Sequence, residues 1–410
     1  MNLRKDAEWI VWESIQAVLP DKAVYQALKD HDFGTDRIYT VAVGKAAWRM
    51  AKAAKDALGK RIQQGIVVTK YQHVERDILG MCCYEAGHPI PDENSFKASQ
   101  AVIDLVSKLG EGDTVLFLLS GGGSSLFEKS LISGKELADI TGQLLACGAS
   151  IMEMNTVRKR LSAVKGGKFA QLCSPARIFS IVLSDILEDS LDMIASGPAY
   201  PDNSTSEMAL KIVKKYNLHL SSQAMACLHK ETPKILTNVE TKIAGSVRDL
   251  CEAAARACEK LGYETTILTE QLSCEAKEAG SFLASIAKSH QNTEKGIAYI
   301  AGGETVVHLI GNGKGGRNQE LVLSAAAGIE GLQGTAIFSI GSDGTDGPTD
   351  AAGGYCDGNT GIYLRRQGVD IYEFLQNNDA YSALEKCGGL IFTGPTGTNV
   401  NDVAVVLIKR

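Results

Sequence analysis

A lysine directly follows a glycine at the end of an apolar run. Residues Thr40–Val43 are typical of a buried strand, and Gly44 and Lys45 come next, where the chain is expected to turn into a helix. Backbone N–H groups at such a turn attract an anion, and a lysine adds a mobile positive charge. The P-loop pattern is not met, because Tyr39 stands where its first glycine belongs and Ala46 follows the lysine. Lys45 is therefore a candidate anion-binding residue, with an ordinary surface lysine as the alternative.

Three glycines and three serines follow a second apolar run, residues 114–119. Bare glycine backbone allows close approach to a ligand, and the hydroxyls of Ser120, Ser124 and Ser125 are uncharged hydrogen-bonding groups. This combination suits a phosphate or a carboxylate. A flexible surface turn is the alternative, but three glycines directly after a buried strand cost conformational entropy unless a close approach is needed.

The densest group of motifs lies in the second half of the chain. Gly311, Gly313 and Gly316 satisfy the G-x-G-x-x-G pattern of dinucleotide-binding turns, between an expected strand and an expected helix. The acidic residue that should follow after about 20 residues comes late, and Arg317 adds a charge that a dinucleotide turn does not need. Cations among bare amides favour a polyphosphate, with Gly316, Arg317 and Asn318 as candidate binding residues. Both interpretations stay open at this point.

Carboxylates cluster after the next apolar run. Asp343, Asp346 and Asp350 lie close together in a glycine-rich segment. An EF-hand is excluded by the spacing and by Gly354, which stands where its bidentate glutamate belongs. Magnesium needs only one or two protein carboxylates beside substrate phosphates, so we predict that Asp343 and Asp346 bind a divalent cation. Turn formation alone is the alternative, and it would explain one of the aspartates.

Five polar side chains in other segments are further candidates for binding substrate or phosphate groups. They are Asn155, Arg158, Asp185, Asp189 and Asn399. The first two belong to a helical stretch, residues 154–168, whose five cations cannot share one face, so part of it is expected to be solvated surface. The two aspartates follow an apolar run, where carboxylates are suited to binding magnesium or accepting a hydroxyl proton.

The elements that position these residues alternate along the chain. Short apolar runs and longer helical patterns predict βαβ units, a mainly parallel sheet and the fold class α/β. The expected strands are residues 38–43, 65–69, 114–119, 178–183, 265–268, 297–301, 305–310, 335–340 and 403–408. Ligands of such sheets bind beyond the carboxyl ends of the strands, where the glycine-rich turns lie.

Two domains are expected, because 410 residues exceed the size that one core usually supports. The helical pattern is interrupted near residues 231–240, and a fresh strand-helix-strand pattern follows. We therefore predict an N-terminal α/β domain over residues 1–238 and a C-terminal α/β domain over residues 239–410.

Composition narrows the function classes. The net charge is −6 and no dense basic patch is visible, so no nucleic-acid partner is expected. Apolar runs are of strand length, so no membrane span is expected. The charged, amphipathic N-terminal segment and ten cysteines without a CxxC pair predict a cytoplasmic protein with reduced thiols. His88 and His308 are interpreted as structural residues.

The ordered motifs resemble those of the glycerate 2-kinase family, whose C-terminal half contains the MOFRL domain. The matching segments are residues 43–46, 87–92, 120–125, 155–158, 184–185, 196–198, 316–320, 341–348 and 396–399. The resemblance covers almost the whole chain. It implies a Rossmann-like α/β/α sandwich and a second α/β domain with the MOFRL region at about residues 295–405.

The implied activity is transfer of the γ-phosphoryl group of ATP to the 2-hydroxyl of D-glycerate, giving 2-phosphoglycerate and ADP, with Mg²⁺ or a similar cation. Lys45 and Arg317 would stabilise charge on the transferring phosphoryl group. Asp343 would bind the cation or help to activate the hydroxyl, and the other candidates would hold glycerate or phosphates. The expected partners are D-glycerate and ATP, and neither a nucleic acid nor a membrane is expected. A homodimer stays open.

Two alternatives accompany the kinase hypothesis. The G-x-G-x-x-G match, and a reductase label that members of this family have carried, leave open an NAD(P)H-dependent hydroxypyruvate reductase. A regulator that binds a nucleotide or a sugar phosphate without turnover is the third hypothesis.

Overall fold

The computed structural model describes residues 2–183 and 191–410. The chain divides into two compact units, a first unit of residues 23–244 and a second unit of residues 2–22 with 245–410. The predicted domain limits, 1–238 and 239–410, stay predictions. These units place the first helix with the C-terminal half of the chain.

The first unit contains six strands and nine α-helices among its described residues. The strands are β1 (Arg37–Val43), β2 (Ile62–Lys70), β3 (Met81–Ala86), β4 (Asp113–Leu119), β5 (Arg177–Val182) and β6 (Val239–Ile243). The helices are α2 (Pro20–Lys29), α3 (Ala47–Leu58), α4 (Glu93–Val106), α5 (Gly123–Leu126), α6 (Gly134–Ala146), α7 (Ile151–Leu161), α8 (Lys168–Cys173), α9 (Ser206–Tyr216) and α10 (Ser222–Leu228).

All six strands of the first unit are parallel, in the order β3-β2-β1-β4-β5-β6. The carboxyl end of β1 is paired on both sides, since Val43 lies opposite Val68 of β2 and Leu119 of β4. The strand order reverses between β1 and β4, and ligands of such sheets bind at that reversal. The predicted Rossmann-like parallel arrangement is confirmed for this unit, and the turns that hold Lys45 and Ser120 lie at the reversal.

The core of the first unit lies on both faces of β4, whose seven residues are all buried. Phe117 packs on one face with Phe169, with ring centroids 4.8 Å apart. Leu116 and Leu118 point to the other face and pack in a second cluster with Phe179. Burial on both faces explains why a parallel central strand reads as a continuous apolar run.

The second unit also contains six strands among its described residues. They are β7 (Glu264–Leu272), β8 (Ile297–Gly303), β9 (Thr335–Gly341), β10 (Gly353–Asp357), β11 (Leu390–Ile391) and β12 (Asp402–Ile408), in the sheet order β11-β10-β9-β12-β8-β7. The helices are α1 (Leu3–Ala17), α11 (Val247–Lys260), α12 (Ala276–Ser289), α13 (Arg317–Gly328), α14 (Thr360–Arg366), α15 (Ile371–Gln376) and α16 (Ala380–Lys386).

The sheet of the second unit is mixed, so the prediction of a mainly parallel sheet is wrong there. Only β7 and β8 pair in parallel, whereas β12 runs antiparallel to both β8 and β9. The seven residues of β12 are all buried, as they would be in a central parallel strand. An apolar run reveals burial but not direction, which is why the sequence pattern did not distinguish the two arrangements.

The predicted strand at residues 305–310 is also absent. This segment is irregular apart from a single bridge at Val306, and Leu309 and Ile310 are exposed. The N–H of Ile310 donates to the side chain of Asn378 instead of to a neighbouring strand (2.8 Å). Across residues 2–183 and 191–410, no helix combines the length and the apolar character needed to cross a membrane.

Candidate active site

The turn after β1 holds Lys45 at the carboxyl edge of the first unit's sheet. The backbone N–H of Lys45 donates to the carbonyl of Gly121 (2.9 Å), and its own carbonyl accepts from the hydroxyl of Thr69 (3.3 Å). Gly44 has a φ of +122°, and a Cβ at this position would collide with Ser120. The backbone of Lys45 is therefore fixed against the serine turn, while its side chain is exposed.

The serine turn, residues 120–125, uses hydroxyl groups for internal hydrogen bonds. Ser120 Oγ accepts the N–H of Ala46 (3.1 Å), and Ser125 Oγ donates to the carbonyl of Gly122 (3.2 Å). Both serines are buried, whereas Ser124 is half-buried. Two of the three predicted serines thus build the turn, and the third is accessible to a ligand.

Two basic side chains lie beside the serine turn, and two more are close enough to affect one of them. A Cβ on Gly122 would lie 3.0 Å from the ring of His88 and 3.2 Å from Cγ of Lys45. Burial lowers the pKa of His88, and the charges of Lys45, Lys70 and His73 lower it further. His73 Nδ1 also lies 3.0 Å from the carbonyl oxygen of Lys45. This concentration of basic groups favours an anion.

Helix α7 brings two predicted residues to the serine turn. It begins at a reciprocal capping box formed by Ser150 and Glu153, five and two residues before Asn155. Arg158 Nη2 donates to the carbonyl of Ser124 (3.3 Å), and its buried Nε has no hydrogen-bond partner among the described residues. Asn155 is buried and accepts the hydroxyl proton of Ser196 (3.0 Å), which lies 3.1 Å from the hydroxyl of Ser124. Arg158 therefore contacts the turn directly, and Asn155 contacts it through Ser196.

Other cations of the segment 154–168 are buried, where the sequence suggested partly solvated surface. Lys165 is fully buried, 3.2 Å from Glu128, and donates to the carbonyls of Ser124 (2.7 Å) and Phe127 (3.0 Å). Burial lowers the pKa of Lys165 to about 8, although Glu128 opposes the shift. Arg160 is buried as well. The expectation of solvation is wrong for these residues, because buried acceptors and counter-charges compensate their desolvation.

In the second unit, helix α13 begins on the buried carboxylate of Asp346. Asp346 Oδ1 accepts the N–H of Asn318 (3.2 Å), and Oδ2 accepts that of Gln319 (2.8 Å). A Cβ on Gly316 would collide with this carboxylate. Burial raises the pKa of Asp346 to about 6, although both N–H donors oppose the rise. Asp346 thus caps the helix, as the helix dipole favours, and its role as a metal ligand stays a prediction.

Two carboxylates hold Arg317, the first residue of α13. Its Nε and Nη2 donate to the two oxygens of Asp402 (2.5 and 3.0 Å), and its Nη1 lies 2.9 Å from Glu304. Burial works against the charge of Arg317, but the hydrogen bonds to Asp402 outweigh it and raise the pKa of the guanidinium. The side chain is 34% exposed. Arg317 therefore stays charged and is partly accessible to an anion.

Asp343 follows β9 and lies near the same ion pair. Its Oδ1 accepts from the N–H (3.0 Å) and the hydroxyl (3.2 Å) of Thr345. A Cβ on Gly341 would lie 3.3 Å from Oδ1 of Asp343 and 3.4 Å from Oδ1 of Asp402. Both carboxylates therefore flank one Cα atom, and the second unit brings the predicted residues Arg317 and Asp343 together through Asp402.

The remaining predicted residues have fewer contacts. Asn399 is exposed, and its Oδ1 accepts the N–H of Asn401 (3.4 Å). Asp185 and Asp189 lie outside the described residues. The binding roles of these three residues stay predictions.

The second unit offers few metal ligands. Within residues 2–183 and 191–410, no three His, Cys, Asp or Glu side chains are grouped so that they could hold a metal ion. Asp402 is engaged by Arg317, which leaves Asp343 as an accessible carboxylate. Magnesium keeps several waters and binds one or two carboxylates besides substrate phosphates. Asp343 therefore fits an ion that arrives with a nucleotide, and a cage made only of protein ligands does not fit.

The G-x-G-x-x-G segment packs on a neighbouring loop instead of forming a dinucleotide turn. The N–H of Gly311 donates to Oδ1 of Asn378 (3.0 Å), and that of Gly313 donates to the carbonyl of Asn377 (2.9 Å). A Cβ on either glycine would collide with the backbone of Asn377. The dinucleotide-binding interpretation is wrong for this segment, because amides that would bind a pyrophosphate already have partners and no strand precedes them.

Comparisons with known proteins identify the family of this protein. Residues 6–229 match a family described as a domain of unknown function (DUF4147), and residues 297–402 match the MOFRL family. A D-glycerate 2-kinase of Thermotoga maritima is 54% identical over 413 residues, which cover 99% of each chain. The chain belongs to the glycerate 2-kinase family.

Other relatives of this family show how far the similarity extends. The crystal structure of a glycerate kinase from Thermotoga maritima matches with a TM-score of 0.96 at 54% identity and covers 99% of both chains. A putative hydroxypyruvate reductase of Agrobacterium vitis is 38% identical and covers 95% of this chain and 91% of its own length. The predicted family and its two-domain α/β fold are confirmed.

Sequence reasoning missed several partners of the predicted residues. Asp402 carried a signal, because it is an acidic residue at the start of an otherwise apolar strand. Ser196 stands in one of the matching motifs, but nothing in that motif shows its contact with Ser124. Glu304 and His73 gave no signal of their own, since their roles arise only from distant neighbours.

Proposed function

We propose that the protein is a glycerate 2-kinase, which transfers the γ-phosphoryl group of ATP to the 2-hydroxyl of D-glycerate and releases ADP. The observation that carries the proposal is the 54% identity, over 99% of both chains, with the D-glycerate 2-kinase of Thermotoga maritima. The geometry of both units supports it. Phosphoryl transfer depends on positioning and on neutralising charge, and the site residues are anion-binding turns, cations and an accessible carboxylate.

The cations act on the phosphoryl group. Lys45 has a fixed backbone and an exposed ammonium, so it can follow a phosphate without moving the turn that carries it. Arg317 is oriented by Asp402, which leaves part of its guanidinium for the ligand. Oriented charges stabilise the transition state more than mobile ones, because they need no reorganisation as charge develops. We therefore assign the larger effect on kcat to Arg317.

Asp343 serves the metal nucleotide. Asp343 would hold magnesium when the ion binds with the nucleotide, and the ion would supply positive charge that neutralises charge developing on the phosphoryl group. Thr345 holds Oδ1 of Asp343 with two hydrogen bonds, so the carboxylate has a defined direction before any ligand binds. Gly316 and Asn318 keep α13 in place on Asp346, and the helix in turn positions Arg317.

The first unit holds glycerate and phosphate groups. Arg158 Nε has no hydrogen-bond partner among the described residues, and Lys45 and His88 lie beside the serine turn, so both places suit a carboxylate or a phosphate. Asn155 and Ser120 support the turn from within. Because both substrates are small solutes of the cell interior, we also propose that the enzyme works in the cytoplasm.

The test is release of ADP from Mg·ATP upon addition of D-glycerate. We expect ADP in proportion to the D-glycerate consumed, and loss of most activity with Lys45→Met. The matched control is Lys52→Met, which changes a lysine of α3 that pairs with Asp56 and should leave the rate unchanged. Absence of ADP release by the unchanged protein would refute the proposal.

Hydroxypyruvate reductase is the second candidate, and the name of the Agrobacterium vitis relative favours it. The packed G-x-G-x-x-G segment weighs against it, because a nicotinamide dinucleotide would find no free turn there. Oxidation of NADH or NADPH by hydroxypyruvate, with no ADP release from D-glycerate, would reverse the order of the two candidates.

A further inference from the structure

A chain of three hydrogen-bonding side chains runs inward from the serine turn. The hydroxyl of Ser124 lies 3.1 Å from that of Ser196, and Ser196 donates to Oδ1 of Asn155 (3.0 Å). Ser124 is half-buried, whereas the other two residues are buried. Only the first member of the chain is therefore accessible to a ligand.

The hydrogen bonds between these three side chains fix where the hydroxyl proton of Ser124 points. Asn155 presents its amide oxygen to Ser196, while its Nδ2 lies 3.7 Å from Sδ of Met193, a weak acceptor. Because an amide oxygen only accepts, Ser196 must donate its single hydroxyl proton to Asn155. The contact between the two serines then requires Ser124 as the donor. The proton of Ser124 points inward, and its lone pairs remain for a ligand.

The backbone around Ser196 holds this arrangement under strain. Ala195, Ser196 and Gly197 follow one another with φ values of +49°, +62° and +63°. Residues with a Cβ seldom adopt this region. The carbonyls of Ser196 and Gly197 accept the N–H groups of Gly166 (3.0 Å) and Gly167 (2.7 Å), which keep the segment in place. Backbone strain of this kind persists where surrounding contacts impose it, commonly at functional sites.

The backbone of Ser124 is held as well. Its carbonyl accepts hydrogen bonds from Lys165 (2.7 Å) and Arg158 (3.3 Å). With both the carbonyl and the hydroxyl proton engaged, the direction of the Ser124 lone pairs is set before a ligand arrives. Such preorganisation lowers the cost of binding a matching donor.

A carboxylate or a phosphate cannot use these lone pairs, because it also only accepts. A substrate hydroxyl can, since it donates its proton. These three side chains cannot act as a base for the reacting hydroxyl either, because the last of them, Asn155, is a neutral amide that takes up no proton. The matching donor is therefore a substrate hydroxyl that keeps its proton throughout the reaction.

We propose that Ser124 recognises the hydroxyl of glycerate that is not phosphorylated, and that Ser196 is the positioning residue that directs the Ser124 lone pairs toward it. This inference rests on the proposed glycerate 2-kinase activity. It changes the expected role of Ser124. The serine no longer donates to a carboxylate or a phosphate but accepts a hydrogen bond from a hydroxyl.

The experiment compares two ligands in the full-length protein. D-lactate has the carboxylate and the 2-hydroxyl of D-glycerate but a methyl group in place of its hydroxymethyl group. The measurements are KM for D-glycerate and the inhibition constant of D-lactate, both from steady-state ADP release. We expect Ser196→Ala to raise KM about 10-fold, since one substrate hydrogen bond is lost, and to change the inhibition constant less than about 2-fold.

Three variants separate the hydroxyl from the strained backbone. Ser196→Gly removes the hydroxyl and relieves the left-handed strain, so it should repeat the change in KM and melt at a higher temperature than Ser196→Ala. Ser124→Ala removes the acceptor without altering residues 195–197, and it should raise KM in the same way. Ser14→Ala removes a buried hydroxyl of α1 that donates to Ile10, and it should change neither constant.

The outcomes are distinct. An equal rise of both constants in the Ser196 and Ser124 variants would mean general loosening of the turn and would overturn the inference. Unchanged constants would overturn it too. If the Ser196 variants do not fold, Ser124→Ala alone decides between these results. Failure of the unchanged protein to release ADP from D-glycerate would instead reject the proposed function.

Discussion

Replacing Arg317 by alanine should affect stability and activity for different reasons. Asp402, 8% exposed, would lose both hydrogen bonds from the guanidinium and the positive charge beside it. Removing one partner of a fully buried ion pair costs about 3–5 kcal/mol. Because a third of the Arg317 side chain is exposed, solvent screens part of the interaction, and we expect the free energy of unfolding to fall by about 2 kcal/mol.

A double variant distinguishes the two effects. Arg317→Ala combined with Asp402→Asn leaves no unpaired buried carboxylate, so most of the lost free energy of unfolding should return. The activity should not return, because the charge that acts on the phosphoryl group is still missing, and we expect kcat to be at least about 100-fold lower in both variants. Urea unfolding followed by circular dichroism and ADP release at saturating substrates measure the two quantities.

The matched control is Arg365→Ala. This arginine pairs with Glu330 at the surface, with 71% of its side chain exposed, so its loss should change the free energy of unfolding by less than about 1 kcal/mol and leave kcat unchanged. If the double variant regains kcat to within about 3-fold of the unchanged protein, Arg317 is only an ion-pair partner and the assigned effect on the transition state is wrong.

Three other changes test packing and charge at the two turns. Gly44→Ala forces a Cβ into the serine turn and should lower kcat/KM at least about 10-fold, which steady-state kinetics measures. In its control, Gly142→Ala in α6, the added Cβ meets open space. That change should raise the free energy of unfolding by about 0.5–1 kcal/mol, which urea unfolding measures. Glu128→Gln leaves the buried charge of Lys165 unpaired and should cost about 3 kcal/mol, and an unfolding curve equal to that of the unchanged protein would contradict this. The fold raises the pKa of Asp346 from 3.8 to about 6, so the folded state favours the protonated carboxyl more than the unfolded state does. The stability that this difference contributes is complete below pH 3.8 and is lost as pH rises through 6. The free energy of unfolding of the unchanged protein minus that of Asp346→Asn should therefore fall between pH 4 and pH 6, and a flat difference would refute the assignment.

The fold of the first unit was predictable because its strands are buried on both faces. Continuous apolar runs such as β4, each followed by a helix, indicate a parallel sheet that is covered on both faces. The second unit uses equally apolar strands in a mixed sheet, and nothing local in β12 indicates that it runs antiparallel to β8 and β9. Burial sets the pattern of a strand, whereas direction depends on pairing between distant segments.

The site was predictable where glycine is required and less so where a partner is distant. Gly44 and Gly316 are needed because other side chains occupy the space of a Cβ, and this requirement is visible as glycine at the turn. The same signal misled at Gly311, whose close neighbour is another loop and not a ligand. The pairing of Arg317 with Asp402 joins residues 85 positions apart, so no local pattern could reveal it.

The most direct test of the central claim is the identity of the phosphorylated product. Phosphorus NMR of a reaction with D-glycerate and Mg·ATP distinguishes the two esters, because phosphate on the 2-oxygen couples to one hydrogen and phosphate on the 3-oxygen couples to two. A glycerate 2-kinase gives ADP and a doublet from 2-phosphoglycerate. A triplet from 3-phosphoglycerate, or no new phosphate ester at all, would contradict the proposed function.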